Sequence, residues 1–373
     1  TNFSYGALGF PVGGRGGAVL GIMPYSNVGY NTESKGSAEA GEMTYKYSGG
    51  GGLTKAFLGY GVSPFQQRHL KFRRKHYVVD SLKTLSPAVF KIRNFGSKML
   101  SDLSVGANAN YIFGNIQQTG RVIYPNSLLY NNTYVERVVS LGDFTGNIGV
   151  QTAITIDSVK SQGRKKAMKE KVKFTFGYFM NLNNKMDYNY NSVAYNYILT
   201  GAGDEVIRDT VMYNIDQKGR LTLPMEQGIG VGFKKGERIH LVADFALTGW
   251  KNFKYPLDAG VLNNNYRVGI GINFVPEKYA AGRGAFGKRI NYRLGASYET
   301  GYINLKGNDM RTYMVSAGLG LPVGIGRLSS MVNVSLQYGQ MGTLDNNLTR
   351  ENFWRVNFGF TFCDRWFQKF RYD

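Results

Sequence analysis

The segment Asn352–Phe362, with the sequence NFWRVNFGFTF, decides the fold of this chain. From Trp354 to Phe362 every second residue is apolar, and the residues between them are polar or small. Because successive side chains of a β-strand point to opposite faces of the sheet, this alternation predicts a strand with one apolar face and one wet face. Its length matches the roughly 9–11 residues with which a tilted strand crosses a bilayer.

The same alternation recurs along the chain. It is clear in residues 103–113, 171–180, 266–274, 291–299 and 332–339. Weaker versions predict further strands near 3–10, 18–32, 41–62, 144–156, 223–233, 238–250 and 311–321, which makes about thirteen in all. The apolar face is rich in aromatic residues near the strand ends, whereas the opposite face is rich in Gly, Asn and Ser. This pattern favours an all-β fold, a transmembrane antiparallel β-barrel of about 14 strands, over the alternative of a soluble β-sandwich.

Composition limits the other classes of protein. The chain has 373 residues, a formal charge of +20 and one cysteine, Cys363, so an internal disulfide framework is excluded. No run approaches the roughly 18 apolar residues of a membrane-spanning helix. The basic residues are scattered and no nucleic-acid-binding motif accompanies them, so we expect no nucleic-acid partner. Outer-membrane lipid, or an anionic ligand in the barrel lumen, is the expected partner of this charge.

The lengths of the connections predict the orientation in the membrane, since outer-membrane barrels have short periplasmic turns and long extracellular loops. Short links are predicted at 11–17, 234–237 and 322–327, and long loops near 115–138, 183–222, 252–264 and 341–351. The alternation of short and long links holds if 41–62 is one strand, with a kink at Gly49, Gly50, Gly51 and Gly52. An even number of strands would then require one strand before Thr1, and no signal peptide opens the sequence. We therefore expect a mature or truncated chain.

Residues 63–100 interrupt the strand pattern. We interpret 1–373 as a single barrel domain that carries this basic segment as a periplasmic insertion. Its cationic residues include a group that we predict to dock a partner protein, a phosphate-rich surface or peptidoglycan: Arg68, Lys71, Arg73, Arg74 and Lys75. The alternative is a solvated basic loop. A second basic turn, 164–169, is predicted on the same side.

No motif predicts catalysis. The three histidines, His69, His76 and His240, have no companion at metal-ligand spacing, and no nucleophile with a matching base is evident. We expect no enzyme activity, no metal and no cofactor. The candidate ligand-binding residues are instead lumen-facing arginines, with Glu299 and Asp244 as possible counterions: Arg267, Arg293 and Arg355. In a lumen of low dielectric an arginine can bind a carboxylate with two hydrogen bonds, or it can belong to an internal ladder of salt bridges that fills the barrel.

The sequence also resembles a known family. Three pieces carry the resemblance: 21–30 (GIMPYSNVGY), 47–53 (YSGGGGL) leading into 103–114, and 350–373 with Asp364-Arg365-Trp366-Phe367. They resemble the FadL-like transporters of hydrophobic compounds, such as long-chain fatty acids, in the form found in Bacteroidota-type bacteria. The resemblance implies a fourteen-stranded barrel of the bacterial outer membrane, plugged by an N-terminal hatch and opened sideways at a kinked strand. The hatch motif of that family is absent here, so no family binding residue is assigned to this chain.

Two functions remain open at this point. The first is passive uptake of a hydrophobic ligand, with the glycines at 49–52 as the lateral gate. The second is a non-transporting barrel subunit of a larger outer-membrane complex for protein secretion or barrel assembly, with other outer-membrane or periplasmic proteins as partners.

Overall fold

The computed structural model describes residues 3–38, 41–65, 99–100, 102–124, 130–159, 170–182, 185–253, 262–280, 282, 284–323 and 330–363. In chain order the strands are β1 (Gly6–Val12), β2 (Gly16–Asn27), β3 (Tyr30–Ala38), β4 (Gly41–Val62), β5 (Ser104–Ile123), β6 (Asn132–Val159), β7 (Glu170–Asn181), β8 (Lys185–Leu199), β9 (Glu205–Thr222), β10 (Glu226–Lys235), β11 (Ile239–Thr248), β12 (Asn265–Phe274), β13 (Asn291–Glu299), β14 (Asn304–Leu305), β15 (Asn308–Asp309), β16 (Thr312–Val323), β17 (Ser330–Gly342) and β18 (Arg350–Thr361). The helical pieces are short: α1 (Phe286–Arg289) and two 3₁₀ turns, Trp250–Asn252 and Asp345–Asn347. None of the helices in the described residues is long and apolar enough to cross a membrane.

One antiparallel sheet contains nearly all the strands. Its main path joins thirteen of them in the order β1-β2-β4-β5-β6-β7-β10-β11-β12-β13-β16-β17-β18, and three more, β3, β8 and β9, pair beside this path. Each of the thirteen segments predicted from the sequence corresponds to one strand of the path. The sheet wraps around a cavity that touches seven successive strands of it, from β2 to β11. The predicted all-β antiparallel barrel is therefore confirmed.

The apolar faces of these strands point outward. On three different strands, the exposed fractions of Ile270, Leu294 and Phe358 are 61%, 62% and 72%. In a soluble sandwich these side chains would be packed between two sheets, because exposed apolar surface on that scale is unfavourable in water. A bilayer is the solvent that suits this surface. The sandwich alternative is excluded.

Aromatic side chains form a band near each end of the strands. Toward the long-loop rim, three cross-strand ring pairs lie on the outer face: Phe245–Tyr266, Tyr298–Tyr313 and Tyr338–Trp354. Toward the other rim, Phe274 is the register partner of Tyr292. Tyr266 and Phe274 are eight positions apart on β12 (274 − 266). That is about 26 Å along a strand, which after tilting is close to the apolar band of about 25 Å in outer-membrane barrels.

Above the long-loop rim, which is extracellular in such barrels, the sheet continues into water. Here β3 pairs with the first half of β4, and β8 pairs with the first half of β6 on one side and with β9 on the other. The long connection predicted at 183–222 is present between β7 and β10, but it contains strands that were not predicted, since β8 and β9 form a hairpin there. Most of the predicted connection at 115–138 is strand as well, because β5 extends to Ile123 and β6 begins at Asn132. Outside the bilayer no lipid enforces an apolar outer face, so these strands lack the alternation that predicted the others.

The prediction that 41–62 is one strand is confirmed, since β4 spans 22 residues and pairs with β5 from Thr44 to Val62. The basic insertion leaves β4 at the short-turn rim and returns at β5. Its docking residues, Arg68, Lys71, Arg73, Arg74 and Lys75, lie outside the described residues, as does the basic turn 164–169.

Candidate functional site

Three strands approach one another closely at the level of the glycine run of β4. Gly51 (φ +97°) and Gly114 of β5 (φ +145°) adopt backbone conformations that residues with side chains rarely reach. A Cβ atom on Gly51 would overlap the carbonyl oxygen of Asn115, and one on Gly114 would overlap that of Gly52. These glycines are therefore required by backbone contact.

The neighbouring strand β2 is irregular at the same height. A bulge separates Pro24 from Ser26 in its pairing with β4, and β2 stops at Asn27 before β3 resumes the pairing. We call this region, Pro24–Gly29 with Gly49–Gly52 and Gly114, the glycine break. It is hydrogen-bonded in this structure: Val28 N donates to Gly51 O at 2.9 Å, and Leu53 N donates to the Ser26 hydroxyl at 3.3 Å. The β4–β5 register also runs through the glycines without a shift, so the irregularity lies on the β2 side.

Just below the glycine break, a lysine and a tyrosine meet on the inner face. Lys55 lies opposite Met23 of β2 and Ile112 of β5, and Ile112 is almost fully buried inside the barrel. The Lys55 ammonium lies 6.0 Å from the centre of the Tyr25 ring, a distance at which a cation is attracted to a ring face. Tyr25 is the residue that the bulge leaves out of the ladder, so the bulge turns its ring toward the lysine.

A carboxylate on the far wall faces this pair. Glu226, the first residue of β10, interacts electrostatically with both Tyr25 and Lys55, although β5, β6 and β7 separate β4 from β10 in the sheet. The same carboxylate accepts a hydrogen bond from Asn181 Nδ2 at 2.6 Å and lies 3.4 Å from Arg267. Glu226 is thus in direct contact with β7 and β12, and it acts on the side chains of β2 and β4 through its charge. Among the described residues it is the counterion of Arg267, whereas Glu299 and Asp244, the counterions expected from the sequence, make no ion pair with that arginine.

The other two predicted lumen arginines lie elsewhere. Arg293 donates to Asn333 Oδ1 at 2.8 Å and to Asn273 Oδ1 at 3.4 Å, near the short-turn rim. Arg355 lies over the ring of Phe353, 5.6 Å from its centre. Arg267, Arg293 and Arg355 all project from the polar face, as predicted, but they contact three separate sets of partners. Their role in ligand binding stays a prediction.

A packed apolar cluster lies at the extracellular mouth of the barrel. Residues of β4, β5 and β6 contact residues of the β8–β9 hairpin and of the segment that follows it: Leu53, Ile112, Leu141, Met186, Leu221 and Leu223. The side chain of Met186 is fully buried. The cluster therefore fixes the hairpin over the mouth, beside the glycine break. The cluster was not predicted from the sequence, because the segment that forms the hairpin was interpreted as a long loop.

Farther down, the lumen carries polar side chains among apolar ones. A cavity of about 810 Å³ opens there, and among the inward-facing side chains that line it are Asn108, Asn147, Gln151 and Asp244. Many of its other wall residues are glycines, which leave backbone at the surface. Apolar side chains such as Val19 and Phe179 line it as well, so its wall offers both polar and apolar contacts. No group of three or more His, Cys, Asp or Glu side chains that could hold a metal ion occurs in the described part of the chain.

Comparison with known proteins supplies the family. A family model named BamG matches residues 1–72 and 91–373. The chain belongs to the BamG family. No curated protein sequence matches it. Among solved structures it is similar to the toluene transporter TodX of P. putida, with 12% identity, a TM-score of 0.52, and coverage of 96% of this chain and 82% of that one.

Two further structures are similar to this BamG-family chain. The CymD monoaromatic hydrocarbon channel has 12% identity and a TM-score of 0.45, over 96% of this chain and 82% of that one. A Pseudomonas aeruginosa FadL homologue has 11% identity and a TM-score of 0.40, over 90% and 69%. At such identities the likeness shows the fold alone. The resemblance to FadL-like proteins is thus confirmed as a shared outer-membrane barrel fold, while the sequence family is BamG.

The contacts that Glu226 makes with other strands of this barrel were not predicted from the sequence. One pattern in the sequence pointed to Glu226. Every second residue after it, at Gly228, Gly230 and Gly232, is glycine, so Glu226 is a charged residue on a stretch of strand face that otherwise carries no side chains. Its partners come from strands far away in the sequence, so no spacing rule could have assigned them.

Proposed function

We propose that this BamG-family protein is a structural subunit of a larger complex of the bacterial outer membrane, of the kind that secretes proteins or assembles barrels. The observation that carries the proposal is an uncovered apolar strand in water. β9 lies in the extracellular part of the sheet and, among the described strands, pairs with β8 alone. It exposes six large apolar side chains: Val206, Ile207, Val211, Met212, Tyr213 and Ile215.

The exposure on β9 is high for a strand outside the bilayer. Val211 and Tyr213 are 63% and 71% exposed. Contiguous apolar surface of this kind in water commonly marks a protein–protein interface. Three register irregularities interrupt the pairing of β9 with β8, and such bulges discourage a further strand from adding at the edge. The side chains, rather than the backbone edge, are therefore the expected contact surface for another protein on the extracellular side of the outer membrane.

The lumen also suits a scaffold better than a straight conduit. The packed apolar cluster holds the β8–β9 hairpin against the barrel wall at the mouth, and its buried side chains would have to move before a solute could pass between them.

Passive uptake of hydrophobic compounds is the second candidate. It is favoured by the fold shared with TodX and by the glycine break, which lies next to the apolar cluster. On this hypothesis an apolar solute would leave sideways through the wall between β2 and β4.

One experiment separates the two functions. The changes Val211→Glu and Tyr213→Glu are introduced into the full chain, with Ser37→Glu as a control, because Ser37 is exposed on β3 at the opposite edge of the same extracellular sheet. We expect the two β9 variants to lose a defined outer-membrane complex on native gels while remaining folded barrels, and the control to retain it. Uptake of a labelled long-chain fatty acid should not change when the gene is deleted. Normal complexes in both β9 variants, together with lost uptake in the deletion strain, would favour transport.

A further inference from the structure

A polar cavity of about 290 Å³ lies between two extracellular loops, on the side of the barrel opposite to β9 in the strand order. Its walls come from β15, the start of β16, the end of β17 and the loop that leads to β18. The loops are joined by reciprocal hydrogen bonds, in which Lys306 Nζ donates to Asn346 O and Asn346 Nδ2 donates to Lys306 O, both at 3.2 Å. The cavity is therefore held by fixed walls.

Two arginines line this cavity from neighbouring strands. Gly342 N donates to Arg311 O at 2.9 Å, and Gly342 is the register partner of Arg350. The two arginines thus flank a single strand, about 10 Å apart at their Cα atoms, a span that two long side chains can close around one anion. Both are exposed, and neither makes an ion pair within the described residues.

The cavity lies at the height of lipid head groups. Arg311 is two positions from Tyr313, and Arg350 is two and four positions from Asn352 and Trp354. Residues two apart on a strand share a face, so both arginines project from the outer face. Tyr313 and Trp354 belong to the upper aromatic band and are 50% and 68% exposed. Aromatic bands mark the boundary between hydrocarbon and head groups, so the arginines stand one step above that boundary.

The acidic side chains of the cavity are already hydrogen-bonded by neighbouring loop residues. The Asp309 carboxylate accepts hydrogen bonds from Asn263 and Asn304, both at 2.8 Å. These amides, with a further contribution from the charge of Arg311, lower the pKa of Asp309 and keep it ionised. Asp345 accepts a hydrogen bond from the Thr343 hydroxyl at 2.8 Å. Within the part of the chain that the structure describes, neither arginine side chain has a hydrogen-bond partner.

We propose that Arg311 and Arg350 bind the phosphate of a phosphorylated sugar head group, supplied by a glycolipid of the outer leaflet. Guanidinium groups bind phosphate through paired, charge-assisted hydrogen bonds, and two of them at head-group height select a membrane anion over a solute. The exposed Leu344, at the rim of the cavity, adds an apolar contact for the lipid. The inference rests on the outer-membrane location that is part of the proposed function, and it does not require a partner protein.

The test measures lipid binding to the full chain in detergent by native mass spectrometry. The parent and the double variant Arg311→Gln/Arg350→Gln are titrated with diphosphoryl lipid A, with its dephosphorylated form and with inorganic phosphate. The control is Arg208→Gln/Lys218→Gln, which removes the same charge from exposed positions of β9. We expect the first double variant to lose about tenfold in lipid A affinity, the control to bind like the parent, and the dephosphorylated lipid to bind weakly.

Three results would overturn the proposal. They are unchanged binding in the Arg311/Arg350 variant, an equal loss in the control, and inorganic phosphate binding as tightly as lipid A, which would make free phosphate the ligand. Because the assay contains only the barrel and lipid, its failure is independent of whether the complex on native gels is lost.

Discussion

At the scale of single residues, glycine acts in this barrel mainly through the side chain that it lacks. Gly114 combines a positive φ with backbone contact to Gly52, whereas Gly50, in the same run of sequence, has no atom within 4 Å of the place where a Cβ would be. We expect Gly114→Val to lower the free energy of unfolding by about 2 kcal/mol or more, because both the overlap and the backbone conformation are unfavourable.

The matched control for this change is Gly50→Val. A β-branched residue suits an open strand position, so we expect an effect within about 0.5 kcal/mol. Urea unfolding of the two variants in detergent micelles measures the difference. Equal destabilisation would mean that the glycine break depends on the flexibility of the whole run and not on close backbone contact.

At the scale of elements, the β8–β9 hairpin depends on its contacts with the barrel mouth. Met186 is fully buried in the apolar cluster, while Met341, on β17, is 42% exposed. We expect Met186→Ala to cost about 2–4 kcal/mol of hairpin stability and Met341→Ala less than about 1 kcal/mol. Protease digestion of intact cells should then cut the hairpin of the first variant while the barrel stays folded on unheated gels. A hairpin that resists the protease in both variants would show that pairing with β6 is sufficient to hold it.

The elements also show how far the sequence could predict the fold. All thirteen strands of the main path were predictable, because lipid on one side and water on the other impose alternation on segments such as 266–274 and 352–362. β3, β8 and β9 stand above the bilayer, where water lies on both sides, and the alternation that marks a strand is lost. The wall contacts of Glu226 were not predictable either, because they depend on how the sheet closes around the lumen.

At the scale of the whole molecule, charged side chains from different walls of the barrel interact inside the lumen. Glu226 interacts with Lys55 on one wall and with Arg267 on the other, and its side chain is 24% exposed. By contrast, the ion pair Lys46–Glu33 of the extracellular sheet joins two neighbouring strands at 3.3 Å, with side chains 46% and 54% exposed. Removing the charge of Glu226 leaves Lys55 and Arg267 without this counterion inside the lumen. We expect this to lower the free energy of unfolding more than the loss of the solvated pair Lys46–Glu33 does.

We therefore expect Glu226→Gln to lower the free energy of unfolding by about 1–3 kcal/mol, and Glu33→Gln by less than about 1 kcal/mol. Glutamine keeps the size of the side chain and an oxygen for Asn181, so the difference reports the charge. Comparing the two variants by urea unfolding at low and high salt tests this, since screening reduces a surface pair more than one inside the barrel. If Glu226→Gln were neutral at both salt concentrations, the lumen charges would have to be solvated independently, and the two walls would be joined by the sheet alone.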